Sequence, residues 1–174
     1  MNNQKNFNRI ISNNVYFKKK KYALIIGETP SKGARSPKLW NKVYKKYKEH
    51  TKMFPADVSA KNLKKLMYYL ESDNSFVGSA VTAPYKEKIL KYINSISPEA
   101  KVIGSINTIK KIDNKLVGHN TDYHGAIKSL ITFQKKKNIL ILGCGGVGKA
   151  VILACAKNFN NALFQFKFIY ISLI

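Results

Sequence analysis

NILILGCGGVGKAVILACA (138–156) is the stretch whose reading decides the fold class. Asn138 is followed by four uninterrupted aliphatic residues, the pattern of a strand buried on both faces of a parallel sheet. Glycines then come at once, and the spacing Gly143-x-Gly145-x-x-Gly148 is the GxGxxG pattern, with Gly146 as an extra glycine inside it. Glycine permits the tight turn from strand to helix and lets backbone N–H groups approach a pyrophosphate at the helix N-terminus. The apolar residues that follow, to about Ala156, read as that helix. Gly143, Gly145, Gly146 and Gly148 are therefore candidate cofactor-binding residues. The spacing alone also fits a strand–helix turn that holds no ligand.

Working upstream, strands and helices alternate. YALIIG (22–27), MFPADV (53–58) and FVGSAVT (76–82) read as strands, the second weakened by Pro55. Ser36 is a candidate helix cap with Pro37 in the first position. Leu39, Trp40, Val43, Tyr44 and Tyr47 then recur at helical spacing, which predicts an inward apolar face with Trp40 in the core. Ser59 is a second candidate cap, before a helix whose apolar face is Leu63, Leu66, Met67 and Leu70. Helices are also expected over 85–93, from Ser97 to Lys101, and over 122–131. Asp113-Asn114 reads as the turn of a hairpin. This alternation predicts an α/β fold with a mostly parallel sheet. Lys135 to Lys137 read as a linker, and residues 1–21 as a loose N-terminal extension.

The formal net charge is +22, from 29 Lys, 2 Arg and 9 acidic residues. Such a charge raises nucleic acid as a partner. However, arginine is the residue of bidentate phosphate and guanine contacts, and its scarcity argues for solvated surface lysines instead. No nucleic-acid or membrane partner is expected. Cys144 and Cys155 form no CxxC pair and match no zinc spacing, and a reducing cytoplasmic compartment is expected. His119 and His124 lie five apart with no evident third ligand, so no metal is expected. The tail NFNNALFQFKFIYISLI (158–174) lacks Gly, Pro and acidic residues. It reads as out-of-frame translation or a truncated gene, the alternative being a genuine strand over 166–174.

Four further segments, GARSP (33–37), VTAPYK (81–86), IGSINTI (103–109) and GHNTDYHG (118–125), resemble the shikimate dehydrogenases in order and spacing, with the glycine loop after them. The resemblance covers about residues 22–156. It implies a three-layer substrate-binding domain with a mostly parallel sheet over 22–134, then an incomplete NAD(P)-binding Rossmann domain over 135–174. It implies NADP-dependent interconversion of shikimate and 3-dehydroshikimate, with NAD not excluded as the cofactor and a small-molecule substrate as the partner. Lys86 and Asp122 are then the catalytic pair, and Ser36, Thr82 and Asn107 contact the substrate. Taken without the family, Lys86 reads as one solvated lysine among many, and Asp122 as a charge on a helix dipole. The chain departs from the family pattern twice. Ala34 replaces the first serine of Ser-x-Ser-Pro, and Ala80 replaces the asparagine of Asn-Val-Thr. Arg35 is placed to compensate for the first loss. With no second half of a Rossmann fold visible, little or no dehydrogenase activity is expected of the 174-residue chain alone. The bound alternative is a catalytically inactive substrate-binding product.

Overall fold

A computed structural model describes residues 2–17, 21–131, 138–158 and 163–167. The larger of its two sheets has six strands. These are β1 (Lys21–Gly27), β2 (Thr51–Asp57), β3 (Phe76–Val81), β4 (Ser95–Ile96), β5 (Thr108–Ile112) and β6 (Lys115–His119). Their order is β2-β1-β3-β5-β6-β4. The pairs β1–β2, β1–β3 and β4–β6 are parallel, whereas β3–β5 and β5–β6 are antiparallel. The β5–β6 hairpin turns through Asp113 and Asn114, both at positive φ (48° and 59°), the geometry in which a two-residue loop matches strand twist. β4 has only two residues, too few for a recognisable apolar alternation.

The helices are α1 (Asn2–Asn8), α2 (Ser36–Lys46), α3 (Ala60–Ser72), α4 (Tyr85–Lys88), α5 (Pro98–Ile103), α6 (Thr121–Leu130) and α7 (Gly146–Asn158). Leu63, Leu66, Met67 and Leu70 of α3 are buried against Tyr22, Leu24 and Ile26 of β1, as their spacing predicts. The N-terminal segment corrects its reading as a loose extension. Phe7, Ile10, Ile11 and Val15 are buried in this same core, because their side chains fill the space beside α3 and Tyr22. Phe17 stacks on Tyr22 with ring centroids 3.9 Å apart.

Helix α2 also departs from its sequence reading. No residue of it is buried, and Trp40 is 46% exposed. Trp40 and Tyr44 lie over Ala23 and Met53, bordering an open groove, while Leu39, Val43 and Tyr47 face outward. Ser36 is not the cap, since Arg35 already has helical dihedrals and is itself the residue before the helix. The helix lies along the free edge of β2. The Asn41 side-chain amide donates to the Met53 carbonyl and its oxygen accepts from the Met53 N–H, at 3.0 and 2.8 Å. Asn13 does the same for the Pro55 carbonyl and the Asp57 N–H. These groups would otherwise be an unpaired strand edge. Pro55 falls on the outward register of this edge strand, where its missing N–H costs the ladder nothing.

Beyond α6, β7 (Asn138–Leu142), α7 and β8 (Leu163–Lys167) form a strand–helix–strand unit with β7 and β8 parallel. The proposed linker at Lys135 to Lys137 and residues 168–174 of the tail lie outside the described residues.

The Tyr22 hydroxyl, buried in the core, donates to Asp73 Oδ2 at 2.8 Å. Burial first, and this bond second, hold its ionisation well above the ordinary value of 10.0. The folded phenol therefore keeps its proton where the unfolded one loses it. Its contribution to stability is whole below pH 10 and declines as pH rises further. Urea unfolding across that range is expected to show a steep alkaline loss of stability that Tyr22→Phe makes shallower. An identical slope in both proteins would contradict this.

Candidate active site

The site is assembled where β3 and β6 end and β5 begins. Gly27 closes β1 beside Thr82, so close that any side chain there would strike the Thr82 methyl. The Thr82 N–H donates to the Ile26 carbonyl at 2.9 Å, and Tyr85 N–H to the Thr82 carbonyl at 3.0 Å. Tyr85 is buried and its hydroxyl donates to the Val58 carbonyl at 2.6 Å. These bonds fix the turn that presents Lys86. The Lys86 carbonyl accepts the Ile106 N–H at 2.7 Å, tying that turn to the IGSINTI segment.

Lys86 Nζ lies 2.7 Å from Asp122 Oδ2 across 36 residues of sequence. The other carboxylate oxygen, Oδ1, accepts from Asn107 Nδ2 at 2.8 Å. Asn107 Oδ1 in turn accepts the Thr121 N–H at 2.8 Å and the Thr108 hydroxyl at 3.0 Å. Asp122 stands in the first turn of α6, whose cap is Asn120, its side-chain oxygen accepting the Tyr123 N–H at 3.3 Å. Each Asp122 oxygen thus has a protein partner. The pair remains 18% and 26% exposed at its side chains, so a small molecule can reach it.

Thr82 and Lys86 line a cavity of about 730 Å³ whose opposite wall is Gly143, Gly145, Gly146 and Gly148. Gly143 has φ +91°, a conformation that favours glycine, and a side chain on Gly148 would strike the Gly143 carbonyl. A Cβ on Gly145 would meet only open space. The loop leads directly into the 13-residue α7, whose first-turn amides lack helical partners. An open glycine cradle at such a terminus fits a pyrophosphate.

The structure thus brings together Lys86, Asp122 and Asn107, with Thr82 on the same cavity as Lys86. Ser36 opens α2 and is not among the residues lining that cavity. Sequence reasoning missed Asn120, Thr121 and Ser105. Asn120 carried a signal, since an asparagine just before a helical run is a cap signature. Among the described residues no group of three His, Cys, Asp or Glu is placed to hold a metal, and no helix is long and apolar enough to cross a membrane.

If Asn107 holds the site and the ion pair serves chemistry, their substitutions should separate. Asn107→Ala is expected to cost about 1–3 kcal/mol in urea unfolding, because the half-buried Asp122 and Thr108 and the exposed Thr121 all lose a bond, one of them to a charged group. Lys86→Ala is expected to cost about 1 kcal/mol or less, as a partly solvated pair. A larger loss for Lys86→Ala would mark the pair as structural.

The family model described as the shikimate dehydrogenase substrate-binding domain matches residues 25–109. A shikimate dehydrogenase (NADP(+)) of Pyrococcus furiosus is 38% identical over 138 residues, 78% of this chain and 50% of the relative. A shikimate dehydrogenase solved in complex with NADP+ superposes with a TM-score of 0.76 at 34% identity, over 84% of this chain and 51% of that one. The Thermus thermophilus enzyme, solved with NADP(H) and shikimate, gives 0.72 at 26% identity, over 84% and 54%. The chain spans about half the length of the curated relatives it matches. Residues 25–109 thus match the substrate-binding domain of the shikimate dehydrogenase family, and the α/β fold of the chain is that of solved shikimate dehydrogenases.

Proposed function

We propose that this chain carries the substrate site of an oxidoreductase that interconverts shikimate and 3-dehydroshikimate with NADP, residues 22–134 forming the substrate-binding domain and residues 135–174 opening the dinucleotide-binding one. The observation that carries the reading is the 2.7 Å contact between Lys86 and Asp122, with Lys86 lining a cavity that the glycine loop also walls. The names of the relatives support shikimate as the substrate and NADP as the cofactor.

In this reading the substrate ring lies against Thr82 and Asn107, whose hydroxyl and amide offer both donors and acceptors to a polyhydroxylated ring. Ser36 and the exposed Arg35 receive the carboxylate. Ala34 and Ala80 offer that ring no polar partner, which narrows recognition to the remaining groups. Oxidation of a secondary alcohol removes a hydride from carbon and a proton from oxygen. A dinucleotide held by its pyrophosphate at the glycine loop would supply the hydride acceptor through its nicotinamide. Lys86 and Asp122 hold and pass the proton, with Asn107 keeping the carboxylate turned toward the lysine. Backbone N–H groups of Gly143, Gly145, Gly146 and Gly148 would seat the pyrophosphate.

The test is a calorimetric titration of the chain with shikimate, paired with an assay of shikimate-dependent NADP+ reduction. Binding with reduction is expected of an active enzyme, and Lys86→Ala should then lower turnover about 100-fold or more while changing affinity far less. Binding without reduction would assign the chain the substrate site but not the reaction. No binding of shikimate would overturn the proposal.

A further inference from the structure

The four glycines of the loop have different reasons to lack a side chain. Gly143 needs its positive φ, Gly148 is crowded by the Gly143 carbonyl, and Gly145 faces open space. Gly146, at a position the GxGxxG spacing leaves free, is crowded from outside the loop. A Cβ there would lie 3.0 Å from Ser105 Oγ, 3.2 Å from Ser105 Cβ and 3.5 Å from Lys86 Cδ. All three neighbours come from the six-stranded-sheet part of the chain, and none from the loop itself.

Ser105 has no room to retreat. It is fully buried, and Asn120 Nδ2 donates to both its carbonyl and its hydroxyl, at 3.0 and 2.9 Å. Its own hydroxyl donates to the Gly146 carbonyl at 3.4 Å. Asn120 is the residue that caps α6, the helix carrying Asp122. A continuous chain of contacts therefore runs from the Asp122 helix through Asn120 and Ser105 to the glycine loop. Nearby, Lys149 of α7 pairs with Glu87 at 2.8 Å, and Ala150 and Ala154 are buried against Ile103 and Tyr123.

We propose that Ser105 and Gly146 form a stop that sets the spacing between the glycine loop and the Lys86–Asp122 pair, and that Gly146 is a positioning residue whose bareness is demanded by Ser105 rather than by a phosphate. The stop rests on the proposed roles of Lys86 and of the loop. Close-packed contacts of this kind do not deform continuously, so one added methyl moves the loop instead of compressing the contact. Displacement of the loop carries any dinucleotide away from the proton-handling pair, while Thr82 and Asn107 are not among the neighbours that the added Cβ meets.

The test is a cycle of variants in the full 174-residue chain: Gly146→Ala, Gly146→Val, Ser105→Gly and Gly146→Ala with Ser105→Gly. Two quantities are read, amide hydrogen exchange of α7 and NADP+ affinity, with shikimate affinity as control. Gly146→Ala should speed α7 exchange about fivefold or more and Gly146→Val more strongly. NADP+ affinity should fall about tenfold, with shikimate affinity held within about twofold. Adding Ser105→Gly should recover most of both losses relative to Ser105→Gly alone. Ser105→Ala, which keeps the Cβ, should recover less. Unchanged exchange in both Gly146 variants would overturn the stop. So would a loss of NADP+ affinity that Ser105→Gly leaves in place, which would return Gly146 to the phosphate. If the parent chain binds no NADP+, the proposed function fails by that result, while the exchange measurements still decide the stop.

Discussion

The site depends on Asn107. Both ends of its side-chain amide are used, the nitrogen on Asp122 and Thr121 and the oxygen on the Thr121 N–H and the Thr108 hydroxyl. Its backbone is engaged as well, the N–H to His119 and the carbonyl to Val81. One residue thus joins β3, β6 and the first turn of α6. This gives the Asp122 carboxylate a fixed orientation before any ligand arrives. A carboxylate held by an amide on one oxygen and an ammonium on the other is preorganised, and preorganised polar groups need no rearrangement as charge moves during reaction. Asn107 was expected to touch substrate; its bond to Asp122 makes it a support for that carboxylate as well.

The same economy of contacts organises the remainder of the fold. Two asparagines, Asn13 and Asn41, satisfy the free edge of β2 from separate segments. A third, Asn120, caps α6 and pins Ser105. Asp57, at the end of β2, accepts the Ser31 N–H at 2.8 Å and also the Ser31 hydroxyl, which anchors the loop leading to Ser36. Loops that carry function are held here by side chains reaching from rigid strands, the usual way a scaffold positions irregular segments.

Much of this was legible in the residues. The apolar runs over 22–27 and 138–142, the α3 face and the Asp113-Asn114 turn each follow one local rule and form the elements it predicts, although Leu142 of β7 is exposed rather than buried. The failures share a cause. Periodicity reports that a helix is two-faced, not that its apolar face is covered; α2 has the pattern but lies along a sheet edge with Trp40 half exposed. The N-terminal residues are polar in composition, yet Phe7, Ile10 and Ile11 insert into a space that only the assembled core defines. Lys86 and Asp122 could not be paired from spacing alone, because their meeting is made by sheet order rather than by sequence. What pointed to them was the family resemblance, and the geometry that joins them is independent of it.

The central claim is that one small ring alcohol is handled by an ammonium and a carboxylate that the fold has already brought into contact. A crystal structure of this chain soaked with shikimate tests it most directly. The account predicts a ring hydroxyl within hydrogen-bond reach, about 2.6–3.2 Å, of Lys86 Nζ or Asp122, with the Asn107 bond to Asp122 intact. Shikimate bound elsewhere, with Lys86 and Asp122 still closed on each other, would contradict it.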